Sequence, residues 1–276
     1  MDMNPAVRNP FLKRKNRTML TRRRFGVITG GVLASFALGG AGFGRVVARQ
    51  ANDGRLTARP RTDIKTSSNK QGPLGLGRTR DAILQLPVTA SRAPLPLLVM
   101  FHGGNGSAAG VLGRLGSAPG DAGVAVLAPD SRGSSWSETR SGFGPDISFV
   151  NRALEHVFET VAIDARRLAI GGFSDGATYA LALGLINGDL FPWVLAFSPA
   201  VLVAGTPHGT PRIFISHGDA DPVLPIDRCS RRIVPSLRSR GYDVTYREFA
   251  GAHEIPADIA TSGMKWVTGS SSLQSR

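Results

Sequence analysis

Short apolar runs alternate along this chain with stretches that have helical spacing. The runs 95–101, 124–129 and 168–173 contain almost no polar residue, which is typical of strands buried on both faces. The stretches 146–161 and 175–188 carry apolar residues at the spacing of amphipathic or buried helices. This alternation predicts an α/β fold, in which a mostly parallel sheet is covered by helices on both faces.

Glycines mixed with polar residues follow three of the strand-like runs. These segments read HGGNG at 102–106, GFSDG at 172–176 and HGDADP at 217–222. In open parallel sheets, functional side chains gather at the carboxyl ends of the strands. We therefore expect all three segments to meet at one edge of the sheet.

The segment GFSDG fits the G-x-S-x-G pattern, in which a serine occupies a sharp turn between a strand and a helix. Side chains two positions before and after the serine would collide with neighbouring backbone, so Gly172 and Gly176 suit those positions. Ser174 is the predicted nucleophile. The alternatives are a glycine-rich turn with an exposed serine, or a phosphate-binding turn. The second is disfavoured because the chain has no G-x-x-x-x-G-K-[ST] motif.

A serine hydroxyl needs a general base before it can act as a nucleophile. His253 lies in a loop after the last strand-like run, where the base is found when the order is Ser, acid, His. The chain has four other histidines, His102, His156, His208 and His217. His156 is expected within a helix, and His102 and His217 end strands where they suit the shaping of turns. His253 is therefore the predicted base.

The third member of a triad orients the histidine and stabilises its charged form. Asp221 precedes a proline that stiffens its turn, and we prefer it to Asp219, which suits holding the loop backbone. An oxyanion needs backbone N–H donors. Asp175 is one candidate, and Gly104 is the first choice for the second donor, with Asn105 as the alternative. The alternative for HGGNG is a tight turn without a catalytic role.

These motifs, with AFSPA and GAHEIP, occur in an order that resembles the α/β-hydrolase superfamily, and within it the phospholipase/carboxylesterase group, from about Pro73 to Val267. The resemblance implies a triad of Ser174, Asp221 and His253, with oxyanion donors at Gly104 and Asp175. It also implies hydrolysis of carboxylic esters through an acyl-enzyme, without a metal or organic cofactor. HGGNG departs from the family, where the third residue is commonly bulkier.

The substrate side is less constrained by the sequence. The segment between AFSPA and PRIFISHG is too short for a large cap domain, so we expect an open cleft. Trp136 and Asn105 are candidate substrate-binding residues, with a packed loop anchor as the alternative for Trp136. Arg132 and Arg140 favour an anionic group on the substrate, with a solvated rim as the alternative.

The first 48 residues resemble a twin-arginine export signal, with Thr21 to Phe25 preceding a glycine-rich apolar run. We predict an export signal at 1–48, a flexible linker at 49–78, a catalytic domain at 79–268 and a disordered tail at 269–276. The protein would then be periplasmic or extracellular after handling by the export machinery. A membrane anchor formed by an uncleaved signal is the alternative.

The net charge of +13 raises the possibility of an anionic partner, but much of it lies in the leader. Residues 49–276 hold 24 basic and 19 acidic residues, a net charge of +5. We therefore predict a small ester substrate, no nucleic-acid partner and no stable membrane insertion. A polyester depolymerase or feruloyl-type esterase is the alternative enzyme. A non-catalytic binding protein with a hydrolase fold is the alternative from another class.

Overall fold

The computed structural model describes residues 53–64, 70–88, 94–136 and 143–269. The predicted export signal at 1–48 and the tail after Gly269 lie outside these ranges. The described residues belong to one compact unit within Arg49–Arg276. Among the helices of this unit that the structure describes, none is both long and apolar enough to span a membrane.

An eight-stranded sheet forms the centre of the unit, and its spatial order is β1-β2-β4-β3-β5-β6-β7-β8. The strands are β1 Gly72–Pro73, β2 Ala82–Gln85, β3 Leu95–Phe101, β4 Ala125–Pro129, β5 Ile163–Phe173, β6 Trp193–Phe197, β7 Arg212–Gly218 and β8 Val244–Phe249. The pairs from β4 through β3 to β8 are parallel, whereas β1 and β2 run antiparallel at one side. The predicted mostly parallel sheet is confirmed.

Helices cover both faces of the sheet. They are α1 Ala108–Leu115, α2 Ala118–Asp121, α3 Gly144–Thr160, α4 Asp175–Ile186, α5 Ser230–Ser239 and α6 Ala257–Thr268, with a short 3₁₀ helix at Ile226–Arg228. Helices α3, α4 and α5 pack into one apolar cluster, and α1, α2 and α6 pack into the other. The predicted covering of both faces is therefore also confirmed.

Strand β3 shows how the apolar runs produce this layering. All seven of its residues are buried, and they alternate between the two clusters, with Leu97 and Val99 on one side and Leu98 and Met100 on the other. Successive side chains of a strand point to opposite faces, so a continuous apolar run supplies both layers at once.

The segment predicted as a linker at 49–78 has a different role in its described parts. Leu56 and Ala58 are buried in the cluster that contains α3 and α4. The N–H of Leu56 donates to Asn187 Oδ1 at 2.9 Å, and the N–H of Ala58 donates to Asn151 Oδ1 at 2.9 Å. Residues 72–73 form β1. The packed unit therefore begins before residue 79, because polar side chains on α3 and beyond α4 bind the backbone of this segment.

Candidate active site

Ser174 lies in the turn that joins β5 to α4. Its backbone has φ 57° and ψ −122°, a left-handed conformation that is uncommon for a residue with a side chain. Its N–H donates to the carbonyl of Phe197 at the end of β6 (2.9 Å), and its carbonyl accepts the N–H of Ala177 (2.9 Å). The serine is therefore fixed between a neighbouring strand and the first turn of a helix.

The two glycines that flank Ser174 are required by close backbone contacts. A Cβ at Gly172 would lie 2.1 Å from the carbonyl oxygen of Gly176, and a Cβ at Gly176 would lie 2.4 Å from the carbonyl oxygens of Phe101 and His102. These distances are far below van der Waals contact. The tight turn predicted from GFSDG is present, and its two glycines are needed for the steric reason we expected.

His253 lies in the loop between β8 and α6, and its ring reaches Ser174. Its Nε2 lies 2.9 Å from Ser174 Oγ, and its Nδ1 lies 2.6 Å from Asp221 Oδ2. A ring with the proton on Nδ1 donates to the carboxylate and accepts the serine proton at Nε2. The structure thus brings together the three side chains that we predicted from separate segments of the chain.

Asp221 follows β7, and its side chain is completely buried. Its Oδ1 accepts the N–H groups of Val223 and Leu224, at 2.9 and 2.8 Å. Burial raises the pKa of the Asp221 carboxyl, but the hydrogen bonds from Leu224, His253 and Val223 outweigh it, so the pKa is lowered. The carboxylate is therefore ionised and held at a fixed orientation towards His253.

A second imidazole, that of His217, lies behind this carboxylate. Its side chain is fully buried, with Nε2 3.3 Å from Asp221 Oδ2 and 2.8 Å from the carbonyl oxygen of Leu224. Its Nδ1 lies 2.7 Å from Ser230 Oγ. Burial lowers its pKa, so the ring is neutral and donates from Nε2. His217 shapes the turn that carries Asp221, as the sequence predicted. Asp219 likewise holds backbone, accepting the N–H of Gly251 (3.2 Å).

The loop after β3 faces Ser174. Gly104 lies beside Asp175, since a Cβ added to it would come within 2.7 Å of Asp175 Oδ2. Within the described residues, neither the N–H of Gly104 nor that of Asp175 donates to a protein acceptor. The N–H of Asn105 donates to the carbonyl oxygen of Ser134 (2.7 Å). Of the two candidates for the second donor, Gly104 therefore keeps its N–H available and Asn105 does not.

His102 and Arg80 hold this loop in place. Nδ1 of His102 donates to the carbonyl of Gly103 (2.6 Å), while Nε2 accepts the N–H of Ser131 (3.0 Å). Burial lowers the pKa of His102, which keeps the ring neutral. Arg80 donates to the Gly106 carbonyl oxygen and lies 3.2 Å from His102 Nε2. Neither side chain is positioned as a base for Ser174.

Trp136 was a candidate for substrate binding, and the structure contradicts this. It is only 4% exposed, its Nε1–H donates to the carbonyl oxygen of His102 (2.8 Å), and its ring stacks on Tyr179. Arg132 is also packed inward, with its guanidinium 3.5 Å from the centre of the Phe149 ring. Both side chains therefore pack against the protein interior and hold the loop after β4 in place. Arg140 lies outside the described residues.

An open cleft of about 980 Å³ contains Ser174 and His253. Its lining includes Gly104 and Asn105, and Val223 and Leu224 form an apolar part of its wall. Residues 198–211 between β6 and β7 are all described and hold no helix or strand. The expected absence of a large cap from this region thus holds for the part of the chain that the structure describes.

Sequence reasoning missed the wall that α1 contributes to the cleft. Gly110, Gly113 and Arg114 of this helix line it, and the Arg114 guanidinium lies 4.6 Å from the centre of the Phe173 ring. The Phe173 ring is in turn 4.7 Å from the His253 ring. The signal in the sequence that could have indicated this helix is Ser107, because serine is a favoured residue at the start of a helix. In the structure Ser107 caps α1, and its hydroxyl accepts the N–H of Gly110 (3.1 Å).

Comparison with known proteins gives two kinds of similarity. A sequence model of the family described as Phospholipase/Carboxylesterase matches residues 133–266. The NocK protein of Nocardia uniformis subsp. tsuyamanensis, an esterase by name, is 28% identical over 185 residues. That match covers 62% of this chain and 53% of NocK, so the chain spans about half the length of this relative.

Solved structures are similar over most of the described unit. Esterase PE8 superposes with a TM-score of 0.54 at 21% identity, covering 72% of this chain and 99% of that one. A phospholipase/carboxylesterase from Dyadobacter fermentans gives 0.54 at 22% identity, covering 69% and 97%. The chain therefore has the α/β-hydrolase fold, and residues 133–266 are similar to the phospholipase and carboxylesterase family.

Proposed function

We propose that this protein is a serine hydrolase that cleaves carboxylic esters through an acyl-enzyme on Ser174. The observation that carries the proposal is the continuous contact from Ser174 Oγ through the His253 ring to the buried Asp221 carboxylate, at 2.9 and 2.6 Å. The similarity to phospholipases and carboxylesterases supports esters as the substrate class.

In the first half of the reaction, Ser174 Oγ attacks the carbonyl carbon of the ester and its proton passes to His253 Nε2. Asp221 stabilises the resulting imidazolium, because its ionised carboxylate accepts a hydrogen bond from the Nδ1–H group, which keeps its proton. The N–H groups of Gly104 and Asp175 donate to the oxygen that becomes negatively charged. His253 then protonates the departing alkoxide, and the acyl group stays on Ser174.

In the second half, water attacks the acyl carbon while His253 Nε2 takes one of its protons. The carbon–oxygen bond to Ser174 breaks, the proton returns to Oγ, and a carboxylic acid leaves. The helix α4 begins directly after Ser174, so its positive end favours the negative charge that develops at each tetrahedral step. Apart from the ester and this water molecule, every group that takes part in the cycle belongs to this chain.

A fluorophosphonate probe tests the nucleophile. Ser174 Oγ displaces fluoride from phosphorus and becomes covalently labelled, so we expect the wild type to label and Ser174→Ala to remain unlabelled. Ser107→Ala is the matched control, since Ser107 lines the same cleft but its hydroxyl accepts a backbone N–H. We expect Ser107→Ala to label as the wild type does.

Hydrolysis of para-nitrophenyl acetate by the same three proteins completes the test. Equal labelling of the wild type and Ser174→Ala would remove Ser174 as the nucleophile. A wild type that neither labels nor hydrolyses the ester would favour a non-catalytic binding protein. Turnover of insoluble polyester or of feruloyl esters in preference to soluble short-chain esters would favour the alternative enzyme.

We also propose that residues 1–48 direct export by the twin-arginine route, on the sequence TRRRF followed by an apolar, glycine-rich run. Fusion of residues 1–60 to green fluorescent protein tests it, because this route exports proteins already folded. We expect periplasmic fluorescence from the natural sequence and none when Arg22 and Arg23 are both lysine. Replacing Arg14 and Arg17 by lysine is the control, and loss of export there too would indicate a general need for arginine. Fluorescence retained in the membrane fraction would favour the uncleaved anchor.

A further inference from the structure

Arg114 is an unpaired cation at the edge of the catalytic cleft. Its side chain extends from the last turn of α1 and is exposed, with its guanidinium over the ring of Phe173. Among the residues that the structure describes, no carboxylate lies within 4 Å of this guanidinium and no acceptor takes a hydrogen bond from it. Its donors are therefore directed to solvent or to a bound molecule.

The other charged groups that line the cleft are already engaged. Arg80 binds the carbonyl oxygens of Ser131 and Gly106 and the ring of His102. The carboxylate of Asp175 accepts the hydroxyl of Ser135 (2.8 Å) and lies against Gly104. Both groups support the loops around the cleft, which leaves Arg114 as the cation in its described lining whose guanidinium donates to no protein acceptor.

Phe173 places this cation in relation to the reacting groups. The centre of the Phe173 ring is 4.6 Å from the Arg114 guanidinium and 4.7 Å from the centre of the His253 ring, and Phe173 directly precedes Ser174. A guanidinium that stacks on an aromatic face is restricted in orientation while its edge stays free to bind an anion. The contact thus fixes Arg114 at a set position near the serine.

The helix that carries Arg114 also leaves space beside it. Gly110 and Gly113 line the same wall, and a Cβ added to Gly113 would meet no atom within 4 Å. Another part of the lining, formed by Val223 and Leu224, is apolar, and Val223 is 61% exposed. A substrate chain in the cleft can therefore contact both these apolar side chains and the surface of α1, where the polar group without a partner is Arg114.

We propose that Arg114 is a specificity-determining residue, which pairs with a carboxylate carried by the ester substrate. The inference rests on the proposed esterase function and names its substrate class: esters that have a negatively charged group on the acyl or the alcohol half. The carboxylate would accept two parallel hydrogen bonds from the planar guanidinium, which fixes the ester relative to Ser174.

Matched pairs of esters test this and show which half bears the charge. The para-nitrophenyl monoester of glutarate is compared with para-nitrophenyl pentanoate, which places the charge on the acyl half. The acetate ester of para-hydroxybenzoate is compared with its methyl ester, which places it on the alcohol half. For each pair, the measured quantity is the ratio of kcat/KM for the anionic ester to that for the neutral ester.

The variants are Arg114→Gln, Arg114→Lys and, as a control of equal charge change, Arg240→Gln. Arg240 is exposed at the end of α5, where the chain turns to begin β8 at the edge opposite the cleft. We expect Arg114→Gln to lower the anionic-to-neutral ratio for one pair by about fivefold to tenfold, less than for a buried charge-assisted hydrogen bond because Arg114 is exposed. Arg114→Lys should restore part of it, and Arg240→Gln should leave the ratio at the wild-type value.

Charge inversion provides a second measurement. Arg114→Glu should favour the para-nitrophenyl ester of a trimethylammonium-substituted butyrate over the glutarate monoester, and added salt should weaken both preferences. If the wild type and the Arg114 variants have the same anionic-to-neutral ratio of kcat/KM for both pairs of esters, the proposed role of Arg114 is wrong while the esterase function stands. If the wild type hydrolyses no ester and Ser174 is not labelled, the proposed function itself fails.

Discussion

The two walls of the cleft differ in how their groups are held. On the side that carries His253, Asp221 and His217 lie buried behind the lining, and their polar atoms lie within hydrogen-bond distance of a partner; we call this side the buried wall. On the other wall, α1 presents Gly110, Gly113 and the exposed, unpaired Arg114. The buried wall is part of the protein interior. The wall formed by α1, which we call the open wall, is a surface that a substrate can contact.

This difference separates reaction from recognition. A proton transfer requires heavy atoms within about 3 Å, so the groups that perform it need fixed partners. Recognition of a substrate tail depends on a few polar groups whose donors or acceptors are available to the bound molecule. Under the proposed function, the cleft would keep one chemistry while changes on α1 alter which esters it accepts.

The largest expected effect tests the buried wall. Asp221→Asn keeps the shape of the carboxylate but allows His253 to adopt the tautomer that cannot accept the serine proton. We expect kcat for a small ester to fall by about 10⁴-fold, with KM changed much less. The check is steady-state kinetics, alongside a thermal melt to show that the variant is folded. A loss below tenfold would mean that His253 is oriented without Asp221.

Substitution of one glycine at the elbow should have the next largest effect. A Cβ at Gly172 would lie 2.1 Å from the carbonyl oxygen of Gly176, so backbone must move in Gly172→Ala. We expect the free energy of unfolding to fall by about 3 kcal/mol or more. Urea unfolding measures it. A variant as stable as the wild type would show that this turn is not under steric constraint.

A glycine-to-alanine substitution on the open wall should change the free energy of unfolding in the opposite direction. Gly113 lies inside α1, and an added Cβ meets nothing within 4 Å. Alanine is favoured over glycine within a helix, so we expect Gly113→Ala to raise the free energy of unfolding by about 0.5–1 kcal/mol. Unfolding in urea beside Gly172→Ala tests the sign. If both variants lose stability, the contrast between the constrained turn at Ser174 and the open surface of α1 is wrong.

The smallest expected effect concerns the Asp189 carboxylate, which forms ion pairs away from the cleft. Asp189 binds Arg55 through two hydrogen bonds, at 2.7 and 2.9 Å, and Arg59 at 3.1 Å. The hydrogen bond from Arg55 is the main cause that lowers the pKa of Asp189 to about 2. A carboxyl with a lowered pKa stabilises the fold fully above its ordinary value of 3.8, and this contribution is lost as the pH falls through about 2.

We therefore expect Asp189→Asn to cost about 0.5 kcal/mol of unfolding free energy at pH 7, because the carboxylate is 39% exposed and partly screened. The difference from the wild type should narrow between about pH 4 and pH 2. Asp63→Asn is the control, since Asp63 pairs with Arg61 only two residues away and the unfolded chain can form that pair. A deficit that does not change with pH would indicate that burial, not charge, matters at Asp189.

The sheet and the three contacting side chains could be predicted from sequence because their signals are local. The strand ends carry glycines with polar residues, and parallel strands bring such ends to one edge of the sheet. The order of Ser174, Asp221 and His253 along the chain was then enough to assign their predicted roles. The loop after β3 was more ambiguous. The choice between Gly104 and Asn105 depended on a distant acceptor, the carbonyl oxygen of Ser134.

Other features depend on contacts that no local pattern shows. An aromatic residue after a strand has the same sequence signature whether it faces inward or outward, and the stacking of Trp136 on Tyr179 decides that it faces inward. The segment 53–64 looks polar and basic, yet its backbone is bound by Asn151 and Asn187. Helix α1 was not among the predicted elements, because two glycines within eight residues weaken the helical signal.

The conformation of Ser174 has a practical consequence. Its N–H donates to the carbonyl of Phe197 on strand β6. Gly176, in the first turn of α4, lies close to the carbonyl oxygens of Phe101 and His102 at the end of strand β3. A chain in which these strands have separated has no means of keeping the hydroxyl beside an imidazole. Labelling by a phosphonate would then count intact molecules rather than total polypeptide, which makes it a titration of correctly folded material during purification or storage.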